Sequence, residues 1–175
     1  MTELTEQKFV LSDAVKKEID HWIKKYPPDQ KKWALVKALL LAQDQNGGWL
    51  SDAAMNAVAD YLDVPHIVAY EAATFYDMYN LKPIGNNKIS VCTNVACMLR
   101  GSEEIIDCLK KRLNINVGET TKDGLFTVTE VECMAACAGA PMCQINDKAY
   151  HENLTPEKML ALIDQLEQGA KTNVE

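Results

Sequence analysis

Apolar residues recur through the first half of the chain at intervals of three and four. Val15, Ile19, Trp22 and Ile23 form one such stripe, the spacing that gathers side chains on one helix face. Ser12 stands where an N-cap belongs, and "YPPD" (26–29) ends the pattern. A second helix is expected from about Gln30 to Gln45, stopped by "NGG" (46–48). Ser51 precedes a third stripe of Met55, Val58, Ala59 and Leu62, and Pro65 suits the first turn of a fourth, His66 to about Ala73. These periodicities predict an N-terminal helical bundle over 1–82, with "PIGNN" (83–87) as the boundary.

Beyond that boundary the pattern changes. "KISVC" (88–92) reads as a short strand, and Ser102 opens a helix with Ile105, Ile106, Leu109 and Leu113 on one side. "LFTVTEV" (125–131) alternates as a strand does, after a "DG" turn at 123–124. "CQIND" (143–147) and "KAYHE" (148–152) form the arms of a tight hairpin. "LTPEKMLALIDQLEQG" (154–169) is a helix with Thr155 at the N-cap, Pro156 at the first position and Gly169 as its stop. The order β-α-β-β-α over 83–175 fits a small mixed sheet with helices packed on it, compatible with a thioredoxin-like sheet. The fold class expected is α+β. A polar tail, "KTNVE" (171–175), closes the chain.

Composition narrows the function classes. The chain has 175 residues, is 47% hydrophobic and 25% charged, enough for one core plus a smaller helical unit. A net charge of −7, with Arg100 and Arg112 as its only arginines, argues against a nucleic-acid partner. The most apolar run, "WALVKALLLA" (33–42), is broken by Lys37 and falls short of the roughly 20 residues a membrane span needs. "MTELTEQKF" lacks the basic start and apolar core of a signal peptide. A cytoplasmic location is expected, without direct membrane insertion. There thiols stay reduced, so six cysteines point to metal or redox chemistry more than to disulfides.

Cys92, Cys97, Cys133 and Cys137 form the pattern C-x4-C-x35-C-x3-C. Each pair sits just after an expected strand, at the start of a loop, where distant pairs can meet at one sheet edge. Converging thiolates suit Zn²⁺ or an iron–sulfur centre. Neither pair resembles a zinc knuckle, and the spacing is neither the plant-type nor the clustered bacterial ferredoxin run. No C-x-x-C redox dithiol occurs. The small residues "MAA" (134–136) and the turn-prone "AGAP" (138–141) let backbone N–H groups approach bound sulfur. A disulfide framework, four unrelated core thiols and a zinc site remain open on spacing alone. Cys143 is close enough to Cys137 to be a rival ligand. Cys108 lies on an inner helix face beside Ile105 and Leu109, and His21, His66 and His151 are too scattered to be ligands.

At these residues the sequence resembles a known family, the 24-kDa [2Fe–2S] subunits of respiratory complex I, the NADH–quinone oxidoreductase. The likeness rests on "GGWL" (47–50), "ATFYDMY" (73–79), "VCTNVAC" (91–97), "DGLFTV" (123–128) and "CMAACAGAP" (133–141), and so covers nearly the whole chain. The chain departs from the family at Ala136, where a glycine is common, and at Cys143, which is not part of its pattern.

The resemblance implies a thioredoxin-like [2Fe–2S] ferredoxin domain with one cluster on Cys92, Cys97, Cys133 and Cys137. It implies partners as well: a flavoprotein subunit that binds NADH and FMN, and the large iron–sulfur subunit of the complex. The cluster would exchange single electrons with that FMN. The chain would be an enzyme subunit, not catalytic alone, held on the cytoplasmic face of the inner membrane. No phosphate loop or G-x-G-x-x-G run suggests that it binds NADH or FMN itself. The equivalent diaphorase subunit of an NAD-linked hydrogenase or formate dehydrogenase shares the signature, and a zinc-stabilised interaction module is the alternative from another class. The aromatic residues Trp22, Trp33, Trp49, Tyr70, Phe75, Tyr76 and Tyr79 mark the helical half as a docking element, with "TFYDMYNL" (74–81) as its strap.

Overall fold

The structure, a computed structural model, describes residues 9–172. The readings of "MTELTEQKF" and "KTNVE" fall outside that range except at Phe9, Lys171 and Thr172. The chain divides into two compact units, Met1–Pro83 and Ile84–Glu175. With seven α-helices and four strands among the described residues, it is a mixed α+β fold.

The first unit is helical: α1 (Asp13–Ile23), α2 (Leu35–Gln45), α3 (Asp52–Leu62) and α4 (His66–Phe75). Ser12 and Ser51 cap α1 and α3, accepting from the N–H groups of Val15 and Ala54. Each hydroxyl satisfies a donor that the first helical turn leaves unpaired. The segment before α2 is not the α-helix expected from Gln30. Lys31–Ala34 form a 3-10 turn, and Gln30 supplies no side-chain cap. An uncapped start tightens into the shorter-range bonding of that geometry. Helix α4 runs two residues past Ala73, to Phe75. Ile19, Leu39, Leu50, Val58 and Leu62 are fully enclosed, with Ala38, Ala42, Ala54, Ala59, Ala69 and Ala73 between them. Small residues at the crossings let the helices approach closely.

Buried Gln43 ties the following segment to this core. Its amide donates to Met78 O at 2.9 Å and accepts from Asn80 N at 2.8 Å. Tyr79 is also buried, its hydroxyl donating to Val36 O at 2.7 Å. Burial raises that phenol well above its ordinary range. The expected strap is therefore divided. Met78 and Tyr79 belong to the unit's own core, while Phe75, Tyr76 and Leu81 are exposed.

The second unit contains β1 (Asn87–Cys92), α5 (Val95–Leu99), α6 (Ser102–Leu113), β2 (Phe126–Val131), β3 (Cys143–Ile145), β4 (Ala149–His151) and α7 (Pro156–Thr172). The sheet order is β2-β1-β3-β4, with β1 and β2 parallel and the other pairs antiparallel. Ile89, Val91, Phe126, Val128, Cys143 and Ile145 share a core with Ile105, Ile106 and Leu109 of α6 and Met159, Leu162 and Ile163 of α7. Alternation along each strand puts these residues on one sheet face. Asn146 and Asp147, both at positive φ (52° and 55°), close the hairpin between β3 and β4, the backbone a tight two-residue turn requires. Helix α7 continues through Gly169 to Thr172, so the expected stop is overridden. An interior glycine costs a helix only about 1 kcal/mol relative to alanine.

Phe126 is almost wholly enclosed at the centre of the second unit. Phe126→Ala is expected to cost about 3–5 kcal/mol, read as a shift of the urea midpoint by circular dichroism. A loss below about 1 kcal/mol would contradict this placement of the core.

Candidate metal centre

Parallel pairing is what brings distant cysteines together. Cys92, the last residue of β1, lies opposite Val131, the last of β2. Strands that run the same way end at the same edge, so the loops that follow leave the sheet side by side. Thr93 continues the rung, its N–H donating to Val131 O at 3.0 Å. Cys133 comes two residues after Val131. Strand β3 begins at this edge too: Cys92 N donates to Met142 O at 3.2 Å, and Val91 lies opposite Cys143. Three strand ends, those of β1 and β2 and the start of β3, thus meet at one end of the sheet.

The first pair is enclosed, with Cys92 and Cys97 only 4% and 2% exposed. They share an apolar pocket with Ala140 and Met142, edged by Ala96, Met134 and Ala136. Cys97 does not lie in a loop as expected. It sits in α5, whose first N–H is capped by the Asn94 side chain at 2.8 Å. Five residues are too few for a periodic stripe, and the asparagine before "VACML" is the signal that marks this helix. The Cys97 thiol is pushed up to about 11, chiefly by burial and then by its hydrogen bond with Cys92; a backbone hydrogen bond with Met142 acts the other way. Charge on Cys92 and on Cys137 would raise it further, so both sulfurs act on Cys97.

The second pair is exposed. Ala135 takes up a left-handed backbone, φ 58°, and directs its N–H at Cys133 Sγ, 3.4 Å away. A short 3-10 turn, Cys137–Gly139, follows, then the cis peptide Ala140–Pro141. The loop is fastened to the end of the β3–β4 hairpin. Tyr150 Oη donates to Met134 O at 3.2 Å, Asn153 N to Gly139 O at 2.6 Å and Leu154 N to Pro141 O at 3.0 Å. Sequence reasoning did not find Met142 or Tyr150. Neither is one of the cysteine or histidine ligands by which an iron–sulfur site is recognised in a sequence, and only the strand register places them here.

The other thiols are elsewhere. Cys143 pairs with Val91 and so lies one step out of phase with Cys92. Its side chain packs on the helix-covered face with Ile89 and Ile105, where burial pushes its pKa up to about 12. Cys108 is half-buried on α6 with Sγ 3.7 Å from Pro156 O, and burial raises its pKa as well. His21 and His66 are on helices of the first unit and His151 is on β4; His66 Nε2 lies 2.7 Å from Asp60 Oδ1.

Thiol donors among backbone N–H groups and small or apolar residues are chemistry that suits an iron–sulfur group. Backbone N–H groups already reach Cys133 and Cys97, and the residues among the sulfurs are small or apolar. Among the described residues no group of three or more His, Cys, Asp or Glu side chains is arranged to hold a metal ion.

Comparison with known proteins agrees with this chemistry. The family model for thioredoxin-like [2Fe–2S] ferredoxins matches residues 19–167. The chain is 54% identical to a subunit of the NADH-quinone oxidoreductase of Rickettsia bellii over 144 residues, 82% of this chain and 86% of that one. It is 46% identical to the mitochondrial NADH dehydrogenase [ubiquinone] flavoprotein 2 of Dictyostelium discoideum over 157 residues, 90% of this chain and 63% of that one. Among solved structures, an NAD⁺-reducing [NiFe]-hydrogenase in the air-oxidized state aligns with TM-score 0.65 at 22% identity. That alignment takes in 75% of this chain but only 23% of the hydrogenase chain, and at such identity it shows a shared fold.

Thiol chemistry separates the two environments. In metal-free protein at pH 8, iodoacetamide is expected to label exposed Cys133 and Cys137 and to leave Cys143 unmodified. The thiolate is the nucleophile, and a thiol with a pKa near 12 is ionised to only about one part in ten thousand at that pH. Its thiolate fraction grows about tenfold per pH unit up to that value. Labelling of Cys143 at the rate of Cys133, read by peptide mass analysis, would contradict the assigned environments.

Proposed function

The chain belongs to the thioredoxin-like [2Fe–2S] ferredoxin family, and from that premise we propose that it is the electron-transfer subunit of the NADH dehydrogenase module of an NADH–quinone oxidoreductase. In this reading Cys92, Cys97, Cys133 and Cys137 hold one [2Fe–2S] cluster. The observation that carries it is the rung Cys92–Val131, which delivers both cysteine loops to the same sheet edge. When bound, the cluster would accept and release one electron at a time from FMN on a neighbouring flavoprotein subunit, turning two-electron hydride chemistry into single-electron steps.

The chain's own residues do the rest. The pocket of Ala140, Met142 and Ala96 keeps water from the first pair. Ala135 N–H offers Cys133 a donor, and such hydrogen bonds stabilise thiolate sulfur and tune a bound metal. Exposure of Cys133 and Cys137 leaves that side of the site open to an electron partner. The Rickettsia and Dictyostelium relatives bear the names of respiratory NADH oxidoreductases, and the chain spans 86% of the first of them. This favours the respiratory complex over a hydrogenase or formate dehydrogenase as host. The large iron–sulfur subunit would be a further neighbour. Among the described residues no helix is long and apolar enough to cross a membrane; the subunit would sit peripherally, on the cytoplasmic face.

The test is reduction in the assembled module. With the flavoprotein partner and NADH, the wild-type chain is expected to develop the electron paramagnetic resonance signal of a reduced [2Fe–2S] centre. Cys92→Ser and Cys133→Ser should abolish it, while Cys143→Ser should retain it. A signal that survives Cys92→Ser and disappears in Cys143→Ser would overturn the ligand set.

A further inference from the structure

Glu152 lies against the second cysteine loop in a way the proposed ligand set does not explain. A Cβ built on Gly139 would overlap the Glu152 carboxylate and come within 2.7 Å of Glu152 Cβ. The glutamate side chain therefore lies flat on the Gly139 backbone, two residues from Cys137. A side chain at Gly139 would displace the carboxylate from this position. The adjacent bond from Asn153 N to Gly139 O, at 2.6 Å, holds the two segments in this register. Tyr150, two residues earlier and hydrogen-bonded to Met134 O, fastens the other end of the loop.

No lysine or arginine forms an ion pair with Glu152 among the described residues. The second cysteine loop, from Glu132 to Met142, carries no basic residue. We propose that Glu152 is a positioning and charge-setting residue, its carboxylate seated on Gly139 holding down the reduction potential of the site formed by Cys92, Cys97, Cys133 and Cys137. This rests on the reading that those cysteines hold a one-electron centre.

The sign follows from electrostatics. One electron from the reductant, dithionite in the test or reduced flavin in the assembly, enters the site and adds one negative charge. No bond is made and no proton moves. A fixed carboxylate nearby makes that addition less favourable. Because Glu152 is exposed, salt screens its effect, which fades as the screening length falls from about 10 Å at 0.1 M to about 3 Å at 1 M.

The experiment is a dithionite titration of the purified full chain with its cluster, followed by electron paramagnetic resonance at low and high salt. Glu152→Gln, nearly the same size but neutral, is expected to raise the potential at low salt, with the difference shrinking at high salt. Glu152→Asp, which keeps the charge, should stay closer to wild type. An unchanged potential in Glu152→Gln, or an upward shift of equal size at both salt concentrations, would overturn the proposal. So would loss of the cluster in both variants, since the contact would then be purely structural. A wild-type chain without iron would instead remove the cluster reading itself.

Discussion

The parallel pairing of β1 with β2 is the constraint on which the site depends. A one-residue slip would turn every side chain of one strand to the other face. With Cys92 opposite Val131, Ile89, Val91, Phe126 and Val128 enter the core beneath α6 and α7, and Cys92 turns to the opposite face, at the edge where the second loop begins. The same alternation removes Cys143 from the site, because its partner is Val91. Burial energy therefore fixes the placement of the thiols indirectly: the apolar residues set the register, and the register sets the thiols.

The two pairs then meet different surroundings. Cys92 and Cys97 are enclosed by apolar side chains, and burial holds the Cys97 proton tightly. Metal binding there must displace protons, so assembly of a centre is coupled to pH. Cys133 and Cys137 lie in a loop of small residues that is held from outside by Tyr150, Asn153 and Leu154. One half of the site is thus built by the core and the other by the hairpin end. That division suits a group that must be shielded from water on one side and approached by a partner on the other.

Much of this was legible in the chain. Ser12 and Ser51 mark helix starts because their hydroxyls satisfy backbone donors in the first turn, a local interaction. The β1 segment reads as a short strand, β2 shows in its alternation, and 143–152 reads as the arms of a tight hairpin. Long-range features were less visible. Helix α5 is too short for a periodic signal, though Asn94 announces it. Gly169 reads as a stop, yet α7 continues through it. Tyr79 reads as part of a docking strap, but its hydroxyl reaches Val36 O inside its own unit. The cysteine spacing suggests which thiols matter; only the strand register shows why Cys143 lies apart and why Tyr150 and Glu152 lie close.

Metal content bears most directly on the claim that the four thiols surround a two-iron core. Anaerobically purified protein can be assayed for iron, acid-labile sulfide and zinc, with its visible spectrum recorded alongside. Two irons and two sulfides per chain, in brown material, are expected. A colourless, folded protein holding a single zinc ion and no sulfide would contradict it.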